Sequence, residues 1–382
     1  MPMRYLIWAG LALVVLPLAG LGLWLAALPA APTAFAPPIV PQAEIDAMLA
    51  ALKSPKAGRP LVAIIGLNDA TETTDYLMPT GILRRADIAD VMTISTEPGP
   101  VKLYPALVVE ADATIETFDA RHPEGPDYVI VPAMSRDDDP AVTAWLRKQA
   151  KSGAVIIGIC AGVKVVAAAG LLNDRRATTH WYYLKDMLNH DPSIRYVADR
   201  RIVVDRGVAT TTGITASMPM MLTLIEAIAG RDKAEAVASD LGLDRWDARH
   251  HSGAFKLTRP FVTTVLGNRL AFWNHDRFGI ALEPGADEMS LALITDAWSR
   301  TYRSRVELFA ASPATVTTRS GVRLLPDSVT AAWTGERLPL AANTRPTEAL
   351  DKALQNIGAR YGQGTARVVA MQLEYPRYGD EP

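Results

Sequence analysis

Between residues 58 and 240 short apolar runs, bounded by glycine, proline and small polar clusters, alternate with stretches of helical period. Residues 61–66, 91–95, 101–104, 106–109 and 128–132 are apolar and predict strands, and 74–85 predicts a helix containing one proline. The next helix is well punctuated, with Asp139 at the N-cap, Pro140 at the first position and Gly153 just past the end. The acidic run Asp137-Asp138-Asp139 serves that helix N-terminus, so it is given no metal role. A buried strand at 154–159 then runs into a helix at 161–169 stopped by Gly170. Strands at 195–198 and 202–205, a small-residue turn at 210–217 and a helix at 218–229 follow. Such alternation implies a mostly parallel sheet covered on both faces.

The amino terminus changes the picture. Residues 5–27 carry no charge and are long enough to span a bilayer as one helix. A cleaved leader has a shorter apolar core, although Ala34-Phe35-Ala36 resembles a cleavage site and keeps that alternative open. Arg4 precedes the run and no Lys or Arg follows until Lys53. The positive-inside rule then predicts a single-pass bacterial inner-membrane protein with its body on the periplasmic side. The expected organisation is an anchor over 1–30, a Pro/Ala-rich linker with a short helix over 31–57, and an α/β domain over 58–240. A connecting segment over 241–277 and a further α/β unit over 278–382 complete it.

At 382 residues and 49% hydrophobic, the chain can bury more than one core. A net charge of −2 offers no electrostatic footprint for nucleic acid, so none is expected as a partner. One cysteine cannot form an internal disulfide and does not fix the compartment.

That cysteine, Cys160, falls at the turn between the strand at 154–159 and the helix after it, with small residues on both sides. A side chain there stands in a sharp bend, and the following helix amides point at the sulfur. A lone cysteine is otherwise most often a buried packing residue, and the turn context favours a nucleophile. Asp75 just before Tyr76-Leu77-Met78 reads from the residues alone as a helix cap. His180 is a weaker candidate base, and its place after the Arg175-Arg176 turn argues against it. His250-His251 with Asp247 lacks further clustered ligands and reads as an exposed hairpin, not a metal site.

The segment GICAGVKVVAAAGLLNDRRATTHW at 158–181 closely resembles the nucleophile elbow of the DJ-one/PfpI (ThiJ/PfpI) superfamily of class I glutamine amidotransferase-like domains. The closest branches are the sensor domains of AraC-type (GlxA-like) regulators and the isocyanide hydratases. TDYLMPTGIL at 74–83 looks like the family's LDxxGPxEV segment, and GITAS at 213–217 resembles its GVTAG turn. The resemblance covers about residues 58–240 and implies a flavodoxin-like parallel sheet sandwiched by helices. It implies that Cys160 is the nucleophile and Asp75 its acid/base partner. The Ala161 amide then lies where an oxyanion donor would be, Gly162 belongs to the same elbow, and Gly213 and Ile214 wall the pocket. No cofactor is implied; a small-molecule ligand or substrate is, and a homodimer is common among relatives.

Two departures matter. Ala161 stands where hydratase-like and regulator members carry Thr or Ser and proteases carry His, and Pro219 replaces a common Asp. The Cys-His arrangement of the proteases is missing, which argues against protease chemistry, and hydratase activity is put in doubt. The helix-turn-helix half of the regulators is missing after residue 240. Instead a strand at 278–282, a helix at 289–299, a strand at 306–310 and a hairpin-like 316–327 echo residues 62–112, a partial degenerate second copy without a cysteine. A helix at 347–361 and a strand at 368–373 are expected to end the chain. Two functions remain: a membrane-anchored cysteine-dependent hydrolase or hydratase of a small amide, isocyanide or reactive carbonyl, and a noncatalytic sensor or binding domain.

Overall fold

The computed structural model describes residues 3–30, 37–54, 56–341 and 344–375, the side chains of 3–12 and 14 excepted. The candidate cleavage site at 34–36 lies outside the described residues. Seven strands form the main sheet in the order Ile202–Asp205, Val208–Thr211, Val155–Gly158, Tyr128–Val131, Leu61–Gly66, Asp90–Ser95, Ala113–Thr114. All pairs are parallel except Ile202–Asp205 with Val208–Thr211, so the sheet is mixed rather than wholly parallel. Strand Leu61–Gly66 explains why its apolar run is continuous. Val62 and Ile64 join one core and Ala63 and Ile65 the other, so both faces of the pleat are buried.

The second core holds Phe118, Trp145 and the elbow helix Gly162–Ala168. The first core takes in helices Thr73–Ala86, Ser217–Ala229, Glu288–Ser299 and Pro346–Tyr361, so the carboxy-terminal third shares a core with the amino-terminal domain and packs on its helix Thr73–Ala86. Within that third, Asp276–Ala281, Ser304–Ala310 and Ser328–Val329 form a separate parallel sheet. A five-stranded sheet joins the two parts: Val316–Thr317, Arg323–Leu325, Val108–Glu110, Val101–Tyr104 and Thr71–Glu72.

Three expectations are corrected. Among the described residues no helix is long and apolar enough to cross a membrane, which overturns the single-pass anchor, the membrane partner and the periplasmic placement drawn from it. The helix Met3–Ala27 contains Pro17, and its last turn is spent on the folded body. Arg259 donates from Nε to the Leu25 carbonyl (3.0 Å) and from Nη2 to that of Ala26 (2.6 Å). Residues 368–373 are helical, within Gln363–Leu373, not a strand. Val368, Val369, Ala370 and Leu373 are all buried, which hides the helical period, and Gly362 at φ 89° separates this helix from the one before it. His250 is buried rather than displayed on an exposed hairpin.

The elbow depends on one glycine. A Cβ on Gly162 would lie 2.0 Å from the carbonyl oxygen of Val131, so only glycine lets the elbow helix cross the neighbouring strand this closely. Gly162→Ala is expected to cost about 1–3 kcal/mol, the range for overpacking a close-packed site. Urea titration of the full chain measures it, and an unchanged midpoint would contradict the packing described.

Candidate functional site

Cys160 leaves the carboxyl end of strand Val155–Gly158 with φ 55°, a left-handed conformation unusual for a residue with a side chain. Its peptide groups are clamped on both sides. The Cys160 N–H donates to Thr211 Oγ1 (3.2 Å), and Thr179 Oγ1 donates to the Cys160 carbonyl (2.9 Å). These threonines come from the next strand and from the segment following the elbow helix, so three stretches of sequence hold one strained residue.

The sulfur lies on the wall of a cavity of about 920 Å³. Ala161, His180, Ile214, Glu72 and Arg300 share that wall. The lining also includes an apolar group: Leu257, Phe261, Val262, Val265 and Leu266, with Trp24 and Trp181. Most of these lie on helix Arg259–Leu270, at positions one and four apart that place them on one face. Sequence reading had left that helix inside a connecting segment.

Asp75 does not line the cavity; it is fully buried behind the wall. Its Oδ2 accepts from the Ala133 N–H (3.1 Å), and its Oδ1 has no hydrogen-bond partner among the described residues. Burial, reinforced by the charge of Glu72, pushes its carboxyl well above the usual range. The Asp75 cap expected from the residues belongs instead to Glu72, whose carboxylate accepts from the Asp75 N–H (2.6 Å) and the Thr74 hydroxyl (2.9 Å). Glu72 also holds Arg300 Nη2 at 2.7 Å. Arg300 bonds Asp296 through Nε (2.7 Å), and burial pushes Asp296 up to about 8 despite that contact.

Burial likewise pushes the Cys160 thiol up, and Asp75, Glu72 and Glu374 add to the effect; the Ala161 N–H, facing the sulfur, acts against it. The resting sulfur is therefore a thiol. His180 is not its base. Tyr182 N–H donates to Nδ1 (3.2 Å) and Nε2 meets the Gln372 carbonyl (2.9 Å), so both ring nitrogens are used and burial lowers the imidazole's basicity. Gly213 supports the site without lining it. Its N–H donates to Glu374 Oε2 (2.6 Å), and a Cβ there would meet the Glu374 side chain at 2.6 Å. Glu374 also accepts from the Trp181 N–H (2.7 Å) and faces His250 at 3.5 Å. Although burial opposes its ionisation, His250 and His180 hold its carboxyl at about 2.

Glu72, Arg300 and Glu374 escaped sequence reading. Glu72 had a legible signal as an acidic residue opening a helix. Arg300 and Glu374 reach the site only through tertiary contacts more than 150 residues away in sequence.

A family model described as DJ-1/PfpI family matches residues 62–227. The HTH-type transcriptional regulator CdhR of Pseudomonas aeruginosa is 32% identical over 162 residues, 42% of this chain and 47% of the regulator. The isonitrile hydratase of Pseudomonas putida is 36% identical over 105 residues, 27% of this chain and 44% of the hydratase. The Parkinson disease protein 7 homolog of Danio rerio is 29% identical over 185 residues, 47% of this chain and 95% of that protein. The chain thus spans about half the length of the regulator and of the hydratase.

The raised thiol predicts how Cys160 titrates. The thiolate fraction grows as pH rises, so alkylation near neutrality is slower than for a free cysteine of pKa about 8.5 and keeps accelerating above that value. Asp75→Asn removes the neighbouring carboxyl that raises the thiol most and shifts the profile to lower pH. Iodoacetamide labelling followed by mass spectrometry checks both, and a profile centred below the free-cysteine value would contradict the electrostatics.

Proposed function

We propose, from the premise that residues 62–227 are a DJ-1/PfpI family domain, that the protein is a cysteine-dependent hydrolase or hydratase of a small amide, isocyanide or reactive carbonyl. The observation that carries this reading is the Cys160 thiol held at φ 55° on a cavity wall, with the Ala161 N–H facing it and the buried Asp75 carboxyl behind the wall. Attack forms a bond from sulfur to the electrophilic carbon. The thiol proton ends on the substrate nitrogen or oxygen, so no charge is left stranded at the sulfur, and Asp75, behind the wall, acts on that transfer through its effect on the thiol. The Ala161 N–H is placed to stabilise negative charge developing there. With an amide the adduct then breaks its carbon–nitrogen bond and the amine leaves with that proton, whereas an isocyanide adduct loses no group; water next adds at the same carbon, the carbon–sulfur bond breaks, and the sulfur takes back a proton. The apolar face of helix Arg259–Leu270 favours substrates carrying an apolar substituent.

A specific observation favours a second reading, a binding domain without turnover. A thiol pushed up by burial and three carboxyls is a poor resting nucleophile, and Ala161 and Pro219 bring no polar side chain to the site.

The two readings separate on a panel of isocyanides, amides and α-oxoaldehydes bearing apolar groups. The enzyme reading expects turnover that Cys160→Ser lowers by a factor of at least about a thousand, as loss of a nucleophile does. Binding of panel members without turnover, unchanged in Cys160→Ser, would establish the second reading instead.

A further inference from the structure

A single sequence offset relates the two halves of the structure. Adding 215 carries strand Leu61–Gly66 onto Asp276–Ala281, Val108–Glu110 onto Arg323–Leu325 and Ala113–Thr114 onto Ser328–Val329. It carries the pairing of Val101 with Val109 onto that of Val316 with Leu324. It also carries a cross-link. Asp112 donates its N–H to the Thr93 carbonyl (2.9 Å) and accepts from the Thr93 N–H (2.8 Å), and Asp327 does the same with Leu308 (2.8 and 2.7 Å).

The same offset relates contacts between the halves, and those contacts are reciprocal. Glu72 becomes Asp287 and Arg85 becomes Arg300. Arg300 binds Glu72 at 2.7 Å while Arg85 binds Asp287 at 2.9 Å. Val109 pairs with its own equivalent Leu324 in antiparallel register, flanked by Glu110 with Arg323 and Val108 with Leu325. A segment paired antiparallel with its own equivalent, together with swapped ion pairs, is the signature of an isologous two-fold interface.

We infer that residues 276–329 are a built-in second subunit: they dock on residues 61–114 about a pseudo-two-fold axis through Val109 and Leu324, and they deliver Arg300 to the cavity beside Glu72 and Cys160. The two ion pairs have diverged in use. Arg85 lies away from the cavity, between Asp287 and Glu288, whereas Arg300 is on its wall. Arg300 is a positioning residue that neutralises Glu72 and so sets the field at the thiol. The groups facing that sulfur are Asp75, Glu72 and Glu374 from the first half and its carboxy-terminal support, Tyr183 from beyond the elbow helix, and Arg300 from the built-in unit.

The architecture leaves this face unavailable to another copy, so the full chain is expected to have a monomer mass by light scattering and a melting midpoint independent of protein concentration. Arg85→Asp is expected to lower that midpoint, with Arg85→Lys keeping most of it. Arg300→Met leaves Glu72 uncompensated and is expected to slow Cys160 alkylation about tenfold at a fixed pH, the effect of a one-unit shift, with Arg300→Lys restoring it. A dimer that Arg85→Asp dissociates, or an alkylation profile indifferent to Arg300→Met, would overturn the inference. None of these readouts needs turnover, so they succeed or fail apart from the substrate reading.

Discussion

One buried carboxylate organises the site. Glu72 caps the helix that carries Asp75, accepts the Thr74 hydroxyl, walls the cavity and binds Arg300 from the far half of the chain. Burying an ion pair costs desolvation, and the pair is tolerable only where further hydrogen bonds satisfy both members. Here they do: Glu72 has the Asp75 N–H and the Thr74 hydroxyl, and Arg300 has Asp296. Remove either charge and the other is left without its ion-pair partner at the cavity wall. The position of Asp75, the docking of the carboxy-terminal half and the charge balance near the sulfur all depend on this contact.

Burial disfavours charge around it. Cys160, Asp75 and Asp296 are each pushed up by burial, while the histidines beside Glu374 hold its carboxyl down. A site of this kind holds the proton on the sulfur until a ligand arrives. That suits chemistry in which a proton moves as the sulfur attacks, and it suits equally a pocket that only binds.

The carboxy-terminal end joins the parts. Helix Gln363–Leu373 takes the His180 Nε2 contact on the Gln372 carbonyl, and the Gln372 side chain donates to the Arg300 carbonyl (3.1 Å). Glu374, at φ 49° just beyond that helix, pins the Gly213 turn to the Trp181 backbone. The last described residues therefore fix both the elbow side and the Arg300 side of one cavity.

By itself the sequence determined the local elements and the elbow. Apolar runs with glycine and proline punctuation mark strands such as Leu61–Gly66 and the helix capped by Asp139, because short-range periodicity and capping are written in neighbouring residues. The small residues around Cys160 declared the bend for the same reason, and the motifs at 74–83, 158–181 and 213–217 carried the family. Tertiary structure decided the rest. Whether the apolar 5–27 stretch becomes an anchor, whether 368–373 is strand or helix, which carboxylate caps the Asp75 helix, and which arginine meets the thiol depend on contacts between segments far apart in the chain. A buried segment that is apolar on every side loses the period that would identify it, and a charge is recognisable as part of a site only once the fold brings its partner within reach.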